Sequence, residues 1–126
     1  MSFDWHHYLN IAQYIKENAH DFPDAESCYR TTVSRAYYAA FCLARNYVRD
    51  SDGKIFYGDD HQALQDYLKK NIHNQARVRI GNRLRRLHQD RKKSDYHDNL
   101  DEKPINKASK ALTLANKIVN GLVRLS

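Results

Sequence analysis

Apolar residues in this chain recur at spacings of three and four, and very little interrupts them. The 126 residues include only four glycines and two prolines, and the alternation of apolar and polar residues that is typical of strands does not occur. Spacings of three and four place side chains on one face of an α-helix. The sequence therefore predicts an all-α protein, an up-and-down bundle of about five helices.

Short segments with turn chemistry separate the predicted helices. A chain of this length builds one hydrophobic core, so residues 1–126 are predicted to form a single domain. The five helices are expected at about 4–19 with Ser2 as the cap, 25–49, 61–71, 75–96 and 105–125.

The two cysteines and the hydropathy pattern give expectations about location. Cys28 and Cys42 fall in the second predicted helix, roughly 21 Å apart at 1.5 Å per residue, so they cannot form a disulfide there. Two unpaired thiols favour a reducing cytoplasm and a packing role for both side chains. No stretch approaches the ~20 apolar residues of a membrane span, so no membrane association through such a helix is expected.

Positive charge is concentrated in one segment. Residues 77–93 contain eight Lys and Arg residues and one acid, a charge of +7, whereas the rest of the chain carries −1. Clustered positive charge on a rigid element is the electrostatic footprint of phosphate binding. Charge alone leaves nucleic acid, an anionic membrane surface, an acidic protein partner and a merely solvated helix face all open.

The fourth predicted helix carries that segment, and its helical geometry separates two groups of residues. Ile80, Leu84 and Leu87 fall within about 60° of one another and form an apolar stripe. Arg91 lies on the same stripe, about 20° from Ile80, so either the helix leaves the core there or the arginine is held for a purpose. A separate arc about 80° wide contains the other group: Arg79, Arg83, Arg86 and Lys93.

Two motifs in the chain resemble those of a known family. The run Ser34–Phe41 (SRAYYAAF) is similar to the R-A-Y-Y-A-x-F signature in the second helix of HEPN domains. The segment Arg91–His97 (RKKSDYH) is similar to their Arg-x(4–6)-His motif at the end of the fourth helix. In the order and length of its helices, essentially the whole chain resembles that family.

The resemblance implies a compact all-α domain that dimerises and cleaves RNA without a metal or cofactor. It also implies that the protein is the toxin of a toxin–antitoxin pair, with a nucleotidyltransferase-like protein as its antitoxin. Arg91 and His97 would be the catalytic pair, with Ser94 and Tyr96 shaping the pocket around them. The RNA backbone would be attracted by neighbouring cations: Arg83, Arg86, Lys92 and Lys93.

The spacing of Arg91 and His97 sets a geometric condition on that chemistry. Histidine can move a proton near neutral pH, and arginine holds phosphate oxygens in a bidentate fork. Residues six apart on a straight helix point about 120° away from each other. Either the helix unwinds near Asp95, or a twofold dimer brings two pairs together in one cleft.

A second interpretation of the same residues stays open. His97 can be an ordinary residue at a helix end, and Arg91 can be an ion-pair partner of Asp95 four residues on. The protein would then be a non-catalytic HEPN module that binds RNA, or a nucleotidyltransferase partner, through its basic fourth helix. Tyr37 and Tyr38 are expected to pack and hydrogen-bond in the core, and no metal site is predicted from the spacing of the histidines.

Overall fold

The computed structural model describes residues 3–58 and 60–126, and within those ranges it contains five α-helices and no strand. The all-α prediction is confirmed. The helices are α1 (His6–Glu17), α2 (Ala25–Asp52), α3 (His61–Lys69), α4 (Gln75–Tyr96) and α5 (Pro104–Leu125), with a 3-10 turn at Ala19–Asp21.

The limits of α4 coincide with the predicted limits, whereas the N-terminal helix is shorter than predicted. The expected cap, Ser2, lies outside the described residues. The Asp4 carboxylate accepts a hydrogen bond from the backbone N–H of His6 at 3.0 Å. The expected end at Ala19 is also wrong, because Ala19 begins the separate 3-10 turn.

Three further predicted limits are wrong by one to three residues. Helix α2 extends past Arg49 to Asp52 and ends where Gly53 adopts a left-handed conformation (φ +69°), with its N–H donating to the Arg49 carbonyl at 2.9 Å. Helix α3 ends at Lys69 rather than residue 71. Helix α5 begins at Pro104 because proline has no N–H to leave unpaired in a first turn.

Helix α2 is the central helix of the bundle and packs against α1, α4 and α5. Its small buried residues, among them Ala36, Ala40 and Ala44, allow these neighbours to approach closely. The predicted inner face of α5 is buried throughout: Ala108, Ala111, Leu112, Ala115, Ile118, Val119 and Leu122. Both cysteines lie on α2 as free thiols.

Helix α3 packs on α4 at a glycine. A Cβ atom on Gly81 would lie 2.9 Å from the Gln65 carbonyl oxygen and 2.7 Å from Cγ of Lys69. Such distances are too short for real contacts, so only glycine permits this approach of the two helices. The close approach brings polar side chains of α3 beside those of α4.

A buried arginine joins the last turn of α2 to the first turn of α4. The Arg77 guanidinium donates to both carboxylate oxygens of Asp52 at 2.7 and 2.8 Å and to the Tyr47 hydroxyl at 3.0 Å. The Tyr67 hydroxyl of α3 donates to the same carboxylate at 2.7 Å. These bonds hold the pKa of Asp52 well below its usual range. Arg77 therefore belongs to the interior and not to a phosphate-binding surface.

We expect Arg77→Gln to lower the free energy of unfolding by about 3 kcal/mol, because removing one partner of a buried ion pair leaves the other uncompensated. Urea denaturation measures this change. Arg85→Gln, an exposed arginine of the same helix, is the control and should change stability by less than about 0.5 kcal/mol. Equal stability of the two variants would contradict a structural role for Arg77.

The same pair predicts a pH dependence. The pKa of Asp52 is lower in the folded state than in the unfolded state. Asp52 therefore contributes fully to the free energy of unfolding above the unfolded-state pKa near 4, and this contribution is lost as the pH falls below that value. Stability of the wild-type protein should therefore fall more steeply below about pH 4 than stability of Arg77→Gln. Parallel pH profiles for the two proteins would contradict the assignment.

Candidate functional site

Arg91 is held between α4 and α2, on the stripe where the sequence places it. Its Nη2 donates to the Tyr38 hydroxyl at 2.5 Å, and its guanidinium carbon lies 5.0 Å from the centre of the Tyr38 ring. Nε lies 2.9 Å from a carboxylate oxygen of Asp95, in an ion pair that is not an aligned hydrogen bond. The ion pair with Asp95 on which the second interpretation depends is therefore present, and these contacts fix the arginine in place.

Arg30 of α2 binds the end of α4. Its Nη1 donates to the carbonyl oxygens of Ser94 (3.0 Å) and His97 (2.5 Å), and its Nη2 donates to that of Asp98 (3.0 Å). Carbonyls at a helix end have no partner within the helix, so this arginine satisfies them. Helix α4 stays helical through Tyr96, so the first of the two alternatives, unwinding near Asp95, does not occur.

His97 follows the last residue of α4 in an extended conformation, and its side chain is exposed. Within residues 3–58 and 60–126, no hydrogen bond or ion pair joins it to Arg91. Tyr96 is 72% exposed, whereas Ser94 is buried with no hydrogen-bond partner for its hydroxyl among the described residues. Tyr96 and His97 line a shallow depression, and Ser94 does not.

The four cations expected to attract RNA do not lie on one surface. Arg83 lines a groove between α4 and α5, and Arg86 lines a neighbouring depression on the same side. Lys92 lines a groove between α3 and α4, on the other side of the helix. Lys93 lies beside Lys92 and His97 in the shallow depression, with its Nζ 3.7 Å from a carboxylate oxygen of Asp101.

Next to Arg91 the structure brings together three rings from three helices. The Tyr37 hydroxyl is hydrogen-bonded to Nδ1 of His61 at 2.6 Å. The His88 ring stacks on Tyr37 (centroids 5.0 Å apart, planes at 15°) and on His61 (4.9 Å, 27°). Tyr37 is buried, as expected of a core residue, and the Arg91 guanidinium carbon lies 5.9 Å from its ring.

Burial, together with the nearby His61, Lys92 and Arg91, lowers the pKa of His88 to about 4. The ring is therefore neutral at pH 7. Nε2 of Gln65 lies 3.1 Å from Nδ1 of His88, and an amide nitrogen can only donate. The neutral ring thus keeps its proton on Nε2 as a donor.

The groove between α3 and α4 has a volume of about 440 Å³, and His88 is among its lining residues. Its other lining side chains are amides, cations and one carboxylate: Gln62, Gln65, Asp66, Lys69, Arg85, Gln89 and Lys92. Amides and cations are suited to binding a phosphate or the edge of a base. Sequence reasoning missed this groove because no spacing in the chain reveals which α3 side chains face α4.

These observations define a class of protein: an all-α bundle whose basic fourth helix ends in a fixed arginine and an exposed histidine. The family model for the HEPN domain matches residues 6–125. The chain belongs to the HEPN family, and the expected resemblance is confirmed. HEPN domains are often ribonucleases, and they commonly form dimers and bind RNA.

Two other comparisons add no relative. No curated protein and no solved structure gives a significant match to the chain. Among the described helices, none combines the length and apolar character needed to cross a membrane.

The ring cluster gives a prediction for NMR. The His88 ring should titrate at about pH 4 in a pH series of imidazole resonances, and its signal is identified by its loss in His88→Gln. Because the unfolded-state pKa is near 6.5 and the folded-state pKa is lower, protonation favours unfolding. Stability should therefore fall between about pH 6.5 and pH 4.

The control for this prediction is His73→Gln, which removes an exposed histidine. His73→Gln should keep the wild-type loss of stability between about pH 6.5 and pH 4, and His88→Gln should lose part of it. A His88 signal that titrates near 6.5 would contradict the buried, neutral assignment.

Proposed function

We propose that this protein is a metal-independent endoribonuclease and the toxin of a toxin–antitoxin module. It acts as a homodimer in which Arg91 of one protomer and His97 of the other form each site. The observation that carries the proposal is the end of α4, where the fixed guanidinium of Arg91 and the exposed imidazole of His97, which directly follows the helix, do not meet. A second copy of the chain supplies the missing partner.

In this site Arg91 binds the phosphate and His97 moves the proton. His97 takes the proton of the 2′-hydroxyl as the bond from O2′ to phosphorus forms and the bond to O5′ breaks. Water gives the leaving 5′-oxygen its proton, and the products are a 2′,3′-cyclic phosphate and a 5′-hydroxyl. Arg91 stabilises the charge that develops on the phosphate oxygens. Its Nη1 makes no hydrogen bond to any residue in the described ranges, so this nitrogen remains available for the phosphate, while Tyr38 and Asp95 hold the rest of the group.

Mixing two inactive variants tests the composite site. Arg91→Ala and His97→Ala should each abolish cleavage of RNA in EDTA. After unfolding and refolding together, half of the dimers are mixed and hold one intact site of two, so about a quarter of wild-type activity should return. Gel analysis of a labelled RNA measures the recovery.

Each variant refolded alone is the control for this experiment. His97→Ala should keep wild-type stability because the side chain is exposed. Full activity in either single variant would contradict the assignment of that residue. If both variants lose RNA cleavage and mixing restores none of it, Arg91 and His97 of the same protomer form the site, and the composite site is wrong.

A non-catalytic HEPN module is the second candidate. The observation that favours it is the engagement of Arg91 by Tyr38 and Asp95, contacts that also suit a purely structural arginine. Such a module would bind RNA, or an acidic nucleotidyltransferase partner, through α4. Pure protein incubated with total RNA and EDTA separates the two functions: salt-sensitive binding without fragments supports the module, whereas fragments support the nuclease.

A further inference from the structure

We propose that the groove between α4 and α5 binds the phosphodiester backbone of an RNA strand, at a surface separate from Arg91. The choice of RNA rests on the proposed function. The groove has a volume of about 220 Å³. Its lining contains four cations, two from each helix: Arg79 and Arg83 of α4, and Lys117 and Arg124 of α5.

Unbalanced charge is the first observation that carries this inference. The lining of the groove contains no acidic residue, and none of its four cations forms an ion pair with a residue in the described ranges. The acid that lines the neighbouring depression, Asp90, lies 3.4 Å from Nζ of Lys107 and is paired with it. Like charges gathered in one groove repel, and a bound anion relieves that repulsion.

The packing of the two helices places the cations on facing rows. A Cβ atom on Gly121 would lie 3.3 Å from Cδ1 of Ile80, so the glycine lets α5 approach α4 closely. Arg79 and Arg83 are one turn apart, about 6 Å along α4. A strand in the groove therefore meets cations on both of its sides.

The lining favours a phosphate backbone over a protein segment. Interfaces between proteins are centred on large apolar or aromatic side chains, whereas this groove has no aromatic residue in its lining and its isoleucine, Ile80, is only 1% exposed. Bases also find no ring to stack on. Three of the four cations are arginines, whose fork matches phosphate oxygens. Binding is accordingly independent of sequence.

The α4–α5 groove and the α3–α4 groove lie on different sides of α4, so they can be tested separately. Lys92 and Arg85 line the α3–α4 groove on one side of α4, and Arg79 and Arg83 line this groove on the other. Neither Lys117 nor Arg124 belongs to the basic segment 77–93. Variants of these two α5 residues thus test the groove without changing α4.

The experiment measures binding of fluorescent 2′-O-methyl RNA, a single strand that cannot be cleaved, by anisotropy over a series of salt concentrations. Lys117→Gln combined with Arg124→Gln should raise Kd about tenfold at low salt, as expected for the loss of two charge-assisted contacts. The slope of log K against log salt should shrink by about 1.4, or 0.7 for each lost contact. The control pair, Lys70→Gln with Lys103→Gln, removes two exposed lysines elsewhere and should bind as wild type does.

Three results would overturn the inference. The first is wild-type affinity for RNA in the double variant Lys117→Gln with Arg124→Gln. If Arg85→Gln with Lys92→Gln weakens binding instead, RNA binds in the α3–α4 groove, and the proposed function is unaffected. The second is no binding by the wild-type protein at low salt, which would remove both proposals. The third is that Lys117→Gln with Arg124→Gln weakens binding to polyglutamate but leaves binding to RNA unchanged. That result would assign the groove to an acidic protein.

Discussion

Polar contacts between α2 and α4 fix the position of the helix that carries nearly all of the unbalanced charge. Arg77 binds Asp52 at one end of α4, and Arg30 binds the carbonyls at the other end. Between them Arg91 binds Tyr38. All three contacts join a guanidinium to an oxygen of the opposite helix, so α4 can neither slide along α2 nor rotate without breaking charge-assisted hydrogen bonds.

Fixing α4 in this way divides the basic segment into three parts. Arg77 and Arg91 point inward and are paired. Apart from Lys93, which lies beside Asp101, the remaining cations lie on two sides of the helix, one facing α3 and the other facing α5. The net charge of the segment is therefore larger than the charge that the segment contributes to any single binding surface. Helix α5 adds further cations to one of these surfaces.

The sequence predicts what depends on one helix and misses what depends on two. The approximate limits predicted for α4, 75–96, coincide with the observed ones, and helix geometry alone places Arg91 on the buried stripe. It does not predict that His61 stacks on His88, because this contact requires the approach that Gly81 permits. The helix limits at Gly53 and at the 3-10 turn depend on local hydrogen bonds that periodicity does not contain.

The surroundings of Arg91 bear on whether it is structural or catalytic. A purely structural arginine gains most when all of its donors are satisfied, since a buried donor without a partner is costly. Arg91 has Nη2 bonded to Tyr38 and Nε beside Asp95 but poorly aligned, while the described residues offer no partner to Nη1. In the proposed nuclease, a guanidinium that is held on one side and open on the other would be preorganised for the phosphate, and preorganised charge is what stabilises a phosphoryl transition state. The exposed His97 follows the last residue of α4, six residues after Arg91, where in the proposed dimer a second protomer would bring its own His97 to the phosphate.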